Sequence, residues 1–328
     1  MAANNKIKLF LLAGIIFMLF FPGITMGQNS ATANCFKFKN LAKLSYGQDE
    51  RQVGLLDEKE TLQGPESFWV DEDGLIYILD SVISRINVLG EDGTFLKTIA
   101  LKIQGNDIAV SPGGQIFIFQ QMTGTIHCLD HGGRSAAVLE ISQELLKIPR
   151  YFRMTEDGLS IFNSDLNEFF LTRSGKSSDG AVEFLTVPKN VAGQGLKIKN
   201  NRVVKVTKNI DRTASIDLGQ IDRSVPPISA KVDSCAIASI EFLGQDDSER
   251  LYFQVESFKS SEPASGVKLS VYVMDLAGKE LCRVENIPNN YYTWTTKLLH
   301  VTSKGDIYQM LPMPEGVQIN VWMRQDCK

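Results

Sequence analysis

Histidine is scarce in this chain, and the spacings that give histidine a metal-binding role are absent. The three histidines are His127, His131 and His300, and no pair on a helix encloses a Glu as a zinc helix requires. Gly-x-Ser-x-Gly, Cys-x-x-Cys and glycine-rich phosphate loops do not occur either. We therefore expect no metal and no cofactor, and the sequence supplies no catalytic residue.

The chain also lacks a basic excess. After residues 1–33 are set aside, 32 basic residues face 38 acidic ones. A nucleic-acid-binding surface needs positive charge clustered on one face. We expect no nucleic-acid partner.

No apolar run in the leader is long enough to span a bilayer comfortably. The run over residues 9–21 follows two lysines and precedes the small residues Ala31-Thr32-Ala33, which are the three parts of a secretory signal. We predict a signal peptide over residues 1–33 and an exported protein, periplasmic or extracellular, with no stable membrane span after processing. Cleavage after Gly27 and retention as an anchor are the alternatives.

A stretch that recurs about every 40 residues is the most informative feature present. The same residue types recur 40 positions apart, as Val70, Gly74, Ile76 and Ile78 and then as Val110, Gly114, Ile116 and Ile118. Alternating apolar residues predict half-buried strands, and the Asp-Gly and Gly-Gly pairs between them predict tight hairpins. A second hairpin follows in the best copies, which makes four strands per unit. This period and this unit are typical of propeller blades.

Six such units can be traced, at residues 64–99, 105–141, 148–187, 195–232, 237–286 and 296–323. They predict an all-β fold, a six-bladed β-propeller of four-stranded antiparallel blades, as one domain over residues 34–328. An open ring would leave strand edges free, so the segment 36–57 is expected to supply the outer strand of the last blade. Within this segment, Gln52–Leu56 is the best candidate strand.

The first unit resembles an NHL repeat, a repeat found in six-bladed (TolB-like) propellers. The NHL pattern runs Pro, apolar, Val-Asp-x-x-Gly-x-Ile-Tyr-Val-x-Asp, then Arg-Ile-x-Val. Ten residues of the first unit match it: Pro65, Val70, Asp71, Gly74, Ile76, Tyr77, Asp80, Arg85, Ile86 and Val88. In the second unit, Ser111 stands at the first Asp position, Gln120 at the second and Thr125 at the Arg position. The resemblance therefore covers about two blades. We interpret the repeated Asp and Arg as ties between turns.

One set of candidate binding residues comes from superposing the blades on their hairpin glycines. Eight positions before four of these glycines stand polar residues, namely Glu66, Asn106, Arg150 and Lys297. In propellers the residues before each innermost strand surround one mouth of the central channel, where ligands usually bind. Their mixed charges suit a zwitterionic or anionic group. The alternative is that loops at a domain face are polar in general.

A second candidate surface is the aromatic stretch between the fifth and sixth units. Tyr291, Tyr292 and Trp294 lie there, and aromatic residues are enriched at interaction hot spots. Packing between blades is the alternative reading of these three residues. The function that we favour is a binding or scaffold module that engages a protein, peptide or carbohydrate partner.

The enzyme alternative is a hydrolase of the sugar-lactonase type, since those six-bladed propellers are similar in fold. The resemblance implies a metal ion held by Glu and Asn or Asp, for which Glu66 and Asn106 are the candidates here. The lactonase pattern places its Glu before the Gly-Pro, whereas Glu66 follows it, and Arg150 opposes a cation. A binding role is therefore favoured.

Five cysteines in an exported chain raise the question of disulfides. Cys35 and Cys327 lie at the two ends that a closed ring brings together, so a bond between them would lock it. Cys235 and Cys282 flank the fifth blade and form a second candidate pair, which leaves Cys128. Buried free thiols are the alternative for all five.

Overall fold

A computed structural model describes residues 35–58, 61–141, 149–163, 167–173, 183–209, 213–220, 228–231, 236–258 and 266–325. In these ranges the chain consists of strands, turns and loops, and it has no helix with the length and apolarity that a bilayer span requires. The predicted signal segment, residues 1–33, lies outside the described residues.

Six four-stranded antiparallel sheets follow one another along the chain, which confirms the predicted six-bladed propeller. Blade 1 comprises β4 (Ser67–Val70), β5 (Ile76–Asp80), β6 (Arg85–Leu89) and β7 (Phe95–Ala100), and blade 2 comprises β8 (Asp107–Val110), β9 (Ile116–Gln120), β10 (Thr125–Leu129) and β11 (Ser135–Glu140). Blade 3 comprises β12 (Pro149–Thr155), β13 (Gly158–Asn163), β14 (Asn167–Arg173) and β15 (Glu183–Gln194). Blade 4 comprises β16 (Leu196–Ile198), β17 (Arg202–Lys208), β18 (Ala214–Gln220) and β19 (Ile228–Lys231), and blade 5 comprises β20 (Ile237–Gln245), β21 (Leu251–Ser257), β22 (Lys268–Met274) and β23 (Glu280–Ile287).

Blade 6 is shared between the two ends of the described chain. Its inner strands are β24 (Leu299–Val301), β25 (Ile307–Met313) and β26 (Gly316–Arg324), and its outer strand is β1 (Phe36–Ser45). The pairing of β1 with β26 is antiparallel, from Phe36 opposite Arg324 to Ser45 opposite Gly316. The predicted closure by segment 36–57 is therefore correct.

The choice of strand within that segment was wrong. The outer strand of the last blade is β1, and Gln52–Leu56 instead leads into the small hairpin of β2 (Leu56–Glu58) and β3 (Thr61–Gln63). It meets β1 at the end of that strand, where the amide of Val53 donates to the carbonyl of Ser45 at 3.0 Å. Its backbone has other partners, because the carbonyl of Gln52 accepts hydrogen bonds from Arg85 Nη2 and Asn87 Nδ2, both at 2.7 Å. Blade 1 thus uses the Gln52 carbonyl, and the backbone of Val53 bonds to Ser45 and Gly47 and not to β26.

The repeated Asp and Arg residues act as structural ties. Asp80 Oδ2 accepts a hydrogen bond from the amide of Gly54 at 2.8 Å and one from Arg85 Nε at 3.3 Å. Asp71 Oδ1 accepts from the amide of Leu75 at 2.8 Å and so closes the first hairpin turn. In blade 2, the hydroxyl of Ser111 makes the equivalent bond, so the turn tolerates this substitution in the repeat.

The core lies between the faces of neighbouring blades. Phe119 of blade 2 meets Phe152 of blade 3 with ring centroids 5.9 Å apart, and both are almost fully buried. Each blade interior alone is too thin to bury its apolar side chains, so the ring is stable only when neighbouring blades cover one another.

The cysteines are described in part. Cys35, Cys128 and Cys282 are buried. The Sγ atom of Cys282 accepts a hydrogen bond from Arg324 Nη1 at 2.8 Å. Cys235 and Cys327 lie outside the described residues, so the bonds Cys35–Cys327 and Cys235–Cys282 both stay predictions.

Candidate functional site

The innermost strands of the six blades all begin at one mouth of the channel, here called the first mouth, and end at the second mouth. Glu66 and Asn106 directly precede β4 and β8 at the first mouth. Glu66 is only 7% exposed, and its two carboxylate oxygens accept hydrogen bonds from Gln63 Nε2 at 2.6 Å and Asn106 Nδ2 at 2.9 Å. Burial raises the pKa of Glu66, and these two bonds oppose the rise.

Lys297 reaches from blade 6 across blade 1 to blade 2. Its ammonium lies 3.1 Å from Asp107 Oδ1 and donates to the carbonyl of Ile108 at 3.2 Å. Burial lowers the pKa of Lys297, and the charge of Asp107 opposes this effect. The carboxylate of Asp107 also accepts from the Ser67 hydroxyl and from the amide of Phe152, so one buried side chain joins four blades.

Arg150 makes a second connection across the channel. Its guanidinium Nη1 lies 2.9 Å from Glu241 Oε1, which joins blade 3 to blade 5 past blade 4. Burial raises the pKa of Glu241, with Arg150 acting in the opposite direction. The four predicted residues do lie around the first mouth, but two of them form these cross-channel ion pairs and the other two bond to each other. Their polar groups already have partners inside the protein.

The residues at the first mouth do not fit a lactonase-type metal centre. Both oxygens of Glu66 already have amide donors, and the Asn106 side chain presents its NH₂ group to Glu66 while its Oδ1 accepts from the amide of Gln121. A cation needs oxygen ligands that point at a common centre. Among the described residues no group of three or more His, Cys, Asp or Glu side chains is arranged to hold a metal ion.

A cavity of about 530 Å³ opens at the second mouth, and of the four channel residues predicted from sequence only Lys297 lines it. All six innermost strands contribute their ends to it, and representative lining residues are Val70, Val110, Met154, Ile198, Gln245 and Val301. Trp69, Tyr151 and Lys297 also line it. The cavity size lies within the range of about 300–1,000 Å³ that is usual for ligand sites.

His300 packs beside Trp69 in this cavity, with ring centroids 4.4 Å apart. Its Nε2 atom lies 3.1 Å from the carbonyl of Val70. Burial and the nearby Lys297 ammonium lower the pKa of His300 to about 3. The imidazole is therefore neutral at physiological pH and donates its Nε2 hydrogen to Val70.

A buried ion pair supports the wall of the cavity that blades 3 and 4 share. Arg153 Nη1 lies 2.6 Å from Glu168 Oε1, and the second oxygen of Glu168 accepts from the amide of Lys197 at 2.6 Å. At the rim, Lys197 pairs with Asp157 at 2.6 Å and Lys199 pairs with Asp247 at 2.9 Å. Each cation of this wall thus has a carboxylate partner.

The aromatic loop before β24 lies at the first mouth and exposes only one of its three aromatic side chains. Tyr291 accepts a hydrogen bond from Gln309 Nε2 at 2.9 Å, and Tyr292 lies against Tyr46 with ring centroids 6.5 Å apart. Trp294 is 68% exposed, whereas Thr293 and Thr295 on either side of it are 3% and 5% exposed. Tyr291 and Tyr292 are therefore half-buried and make contacts within the protein, and Trp294 is the most accessible of the three.

Comparison with known proteins shows likeness in architecture only. No family model matches the chain, and no curated protein matches it. Among solved structures, streptogramin B lyase is 12% identical, with 90% of this chain and 100% of that chain covered and a TM-score of 0.46. A DUF4221 family member from Bacteroides vulgatus is 15% identical, with 89% and 99% covered and a TM-score of 0.47. BamB from Moraxella catarrhalis is 11% identical, with 89% and 99% covered and a TM-score of 0.37. Nothing about ligand or partner follows from these likenesses.

Proposed function

We propose that this protein is an exported binding module whose propeller engages a protein partner through the first mouth, with Trp294 as the central contact. The observation that carries this proposal is the exposed indole of Trp294, whose two neighbours in the chain are buried threonines. Tryptophan is among the residues most enriched at interaction hot spots. The signal-like segment over residues 1–33 supports export.

Backbone hydrogen bonds hold the loop on both sides of Trp294, which lowers the entropic cost of ordering this loop on binding. The amide of Thr296 donates to the carbonyl of Glu66 at 2.6 Å, and the amide of Tyr292 donates to that of Pro312 at 3.0 Å. A loop whose backbone is already ordered loses less conformational freedom when a partner binds. Met122, in the turn after β9, and Leu62, in β3, are also exposed at the same mouth, 89% and 36%, and they extend the apolar character of this surface.

The NHL-repeat assignment is part of this proposal. The pattern from Pro65 to Val88 supports it, as do the hydrogen bonds that Asp71, Asp80 and Arg85 make. Repeat rings of this kind present broad faces with few reactive groups. This agrees with a role in binding, and the hydrogen-bonded Glu66–Asn106 pair gives no support to a lactonase.

Quantitative co-purification from the host envelope tests the proposal. We expect the amount of partner that co-purifies with the Trp294→Ala variant to be at least about tenfold lower than with the wild type. The reason is that truncation of a hot-spot residue weakens the free energy of binding by about 2 kcal/mol. Phe38→Ala is the matched control, since Phe38 is 52% exposed on β1, away from this mouth. Equal partner recovery with Trp294→Ala and wild type, or equal loss with Phe38→Ala, would contradict the proposal.

A further inference from the structure

We propose that the cavity at the second mouth binds an organic cation, an amine or guanidinium carried on an apolar body. A polyamine and the basic side chains of a short peptide share this chemistry. The site lies at the opposite end of the channel from Trp294, and it does not depend on the protein partner proposed above.

The walls of the cavity suit an apolar body. Val70, Val110, Met154 and Val301 come from four different innermost strands and face the same space. Burial of an alkyl chain against such walls favours binding, because it removes apolar surface from water. Charged groups are concentrated at the rim and at the base, so a ligand with an alkyl chain and a polar end matches this division.

The aromatic walls already hold one cation. The Lys297 ammonium lies 4.7 Å from the centroid of the Trp69 ring and 5.7 Å from that of Tyr151. An ammonium over an aromatic face is attracted by the ring quadrupole, and the attraction grows when water is excluded. The protein's own side chain thus shows that these walls accept a positive group.

The balance of charge in the lining selects a cation over an anion. Its four basic side chains each have a carboxylate partner, in the pairs Arg153–Glu168, Lys197–Asp157, Lys199–Asp247 and Lys297–Asp107. Asp71, Glu72 and Glu156 also line the cavity, and within the described part of the chain no basic side chain pairs with them. His300 is neutral, so the lining carries excess negative charge.

Isothermal titration calorimetry at low salt tests the site with three probes. Spermidine represents the polyamines, the capped peptide Leu-Lys-Leu-Lys represents basic side chains, and the capped peptide Leu-Glu-Leu-Glu is the anionic control. The double variant with Glu72→Gln and Glu156→Gln removes two rim charges. Glu140→Gln removes one exposed carboxylate from the outer strand β11 and is the matched control.

We expect saturable binding of at least one cationic probe and none of the anionic peptide. The double variant should bind about tenfold more weakly, and added salt should weaken binding of the wild type. Binding of spermidine alone identifies a small amine as the ligand, and binding of the basic peptide alone identifies a peptide side chain. The proposal is overturned if neither cation binds, if the anionic peptide binds as well, or if the double variant and Glu140→Gln behave alike.

Discussion

Replacing Asp107 by Asn should destabilise the propeller more than replacing its partner Lys297 by Met. Asp107 is fully buried and accepts hydrogen bonds from Ser67 and from the amide of Phe152, in addition to its ion pair with Lys297. Without the carboxylate, the buried Lys297 ammonium has no counter-charge and keeps only the carbonyl of Ile108 and the faces of Trp69 and Tyr151. Without the lysine, the carboxylate still keeps two donors.

The expected magnitudes follow from this asymmetry. Removing one member of a buried pair and leaving a charge behind costs about 3–5 kcal/mol, so we expect a loss of that size for Asp107→Asn. For Lys297→Met we expect about 1–3 kcal/mol, because the remaining carboxylate stays hydrogen-bonded. The variant that carries both substitutions should be at least as stable as Asp107→Asn alone, because it contains no buried Lys297 ammonium.

Urea unfolding at neutral pH, followed by tryptophan fluorescence, measures these differences. The control is Lys43→Met in the exposed pair Lys43–Glu315, whose side chains are 49% and 53% exposed. An exposed pair contributes about 0–1 kcal/mol, so this variant should stay close to the wild type. A loss below about 1 kcal/mol for Asp107→Asn, or a greater loss for Lys297→Met, would refute the reasoning.

Three further predictions concern pH, ring closure and processing. Because the pKa of His300 is lowered from 6.5 to about 3, the unfolded state binds more protons than the folded state below pH 6.5. Between pH 7 and pH 5 this group should therefore lower the free energy of unfolding of the wild type by about 2 kcal/mol. Urea unfolding of His300→Gln should show a decrease that is smaller by that amount. A Cβ atom at Gly316 (φ +148°) would lie 2.0 Å from the carbonyl oxygen of Leu44 in β1, so Gly316→Ala should lower the free energy of unfolding by about 2 kcal/mol or more. A Cβ atom at Gly266 (φ +83°) meets no atom within 4 Å, so Gly266→Ala should lower it by only about 1 kcal/mol. Equal losses for the two variants would contradict the role assigned to the contact between Gly316 and Leu44. The intact mass of protein secreted by its host should correspond to a chain that begins at Asn34, and an uncleaved chain would contradict the predicted signal peptide.

The blades could be predicted from sequence because their signals are local. Asp-Gly and Gly-Gly turns at a fixed spacing, such as those at Gly74 and Gly114, determine hairpins whatever the rest of the chain does. The closing strand could not be identified in this way. Apolar and polar residues alternate in both Gln52–Leu56 and Phe36–Ser45, so the pattern does not distinguish them. Contacts with blade 1 and with β26 decide which of the two segments closes the ring.

The candidate sites depend more strongly on long-range contacts. Counting back from the hairpin glycines located Glu66 and Asn106 at the first mouth, but it missed Asp107 one position later, because this residue looks like the first residue of an ordinary strand. The cavity at the second mouth forms from the ends of six strands that are far apart in sequence. No single repeat contains the information that these ends enclose a space.

Site-specific photo-crosslinking in the living host tests the proposed binding surface most directly. A photoreactive amino acid placed at position 294, with position 38 as the exposed control, reports which proteins touch each site. We predict one dominant adduct of defined mass at position 294 that is absent at position 38. The absence of an adduct at position 294, or the same adducts at both positions, would contradict the proposal that Trp294 is the centre of a partner-binding face.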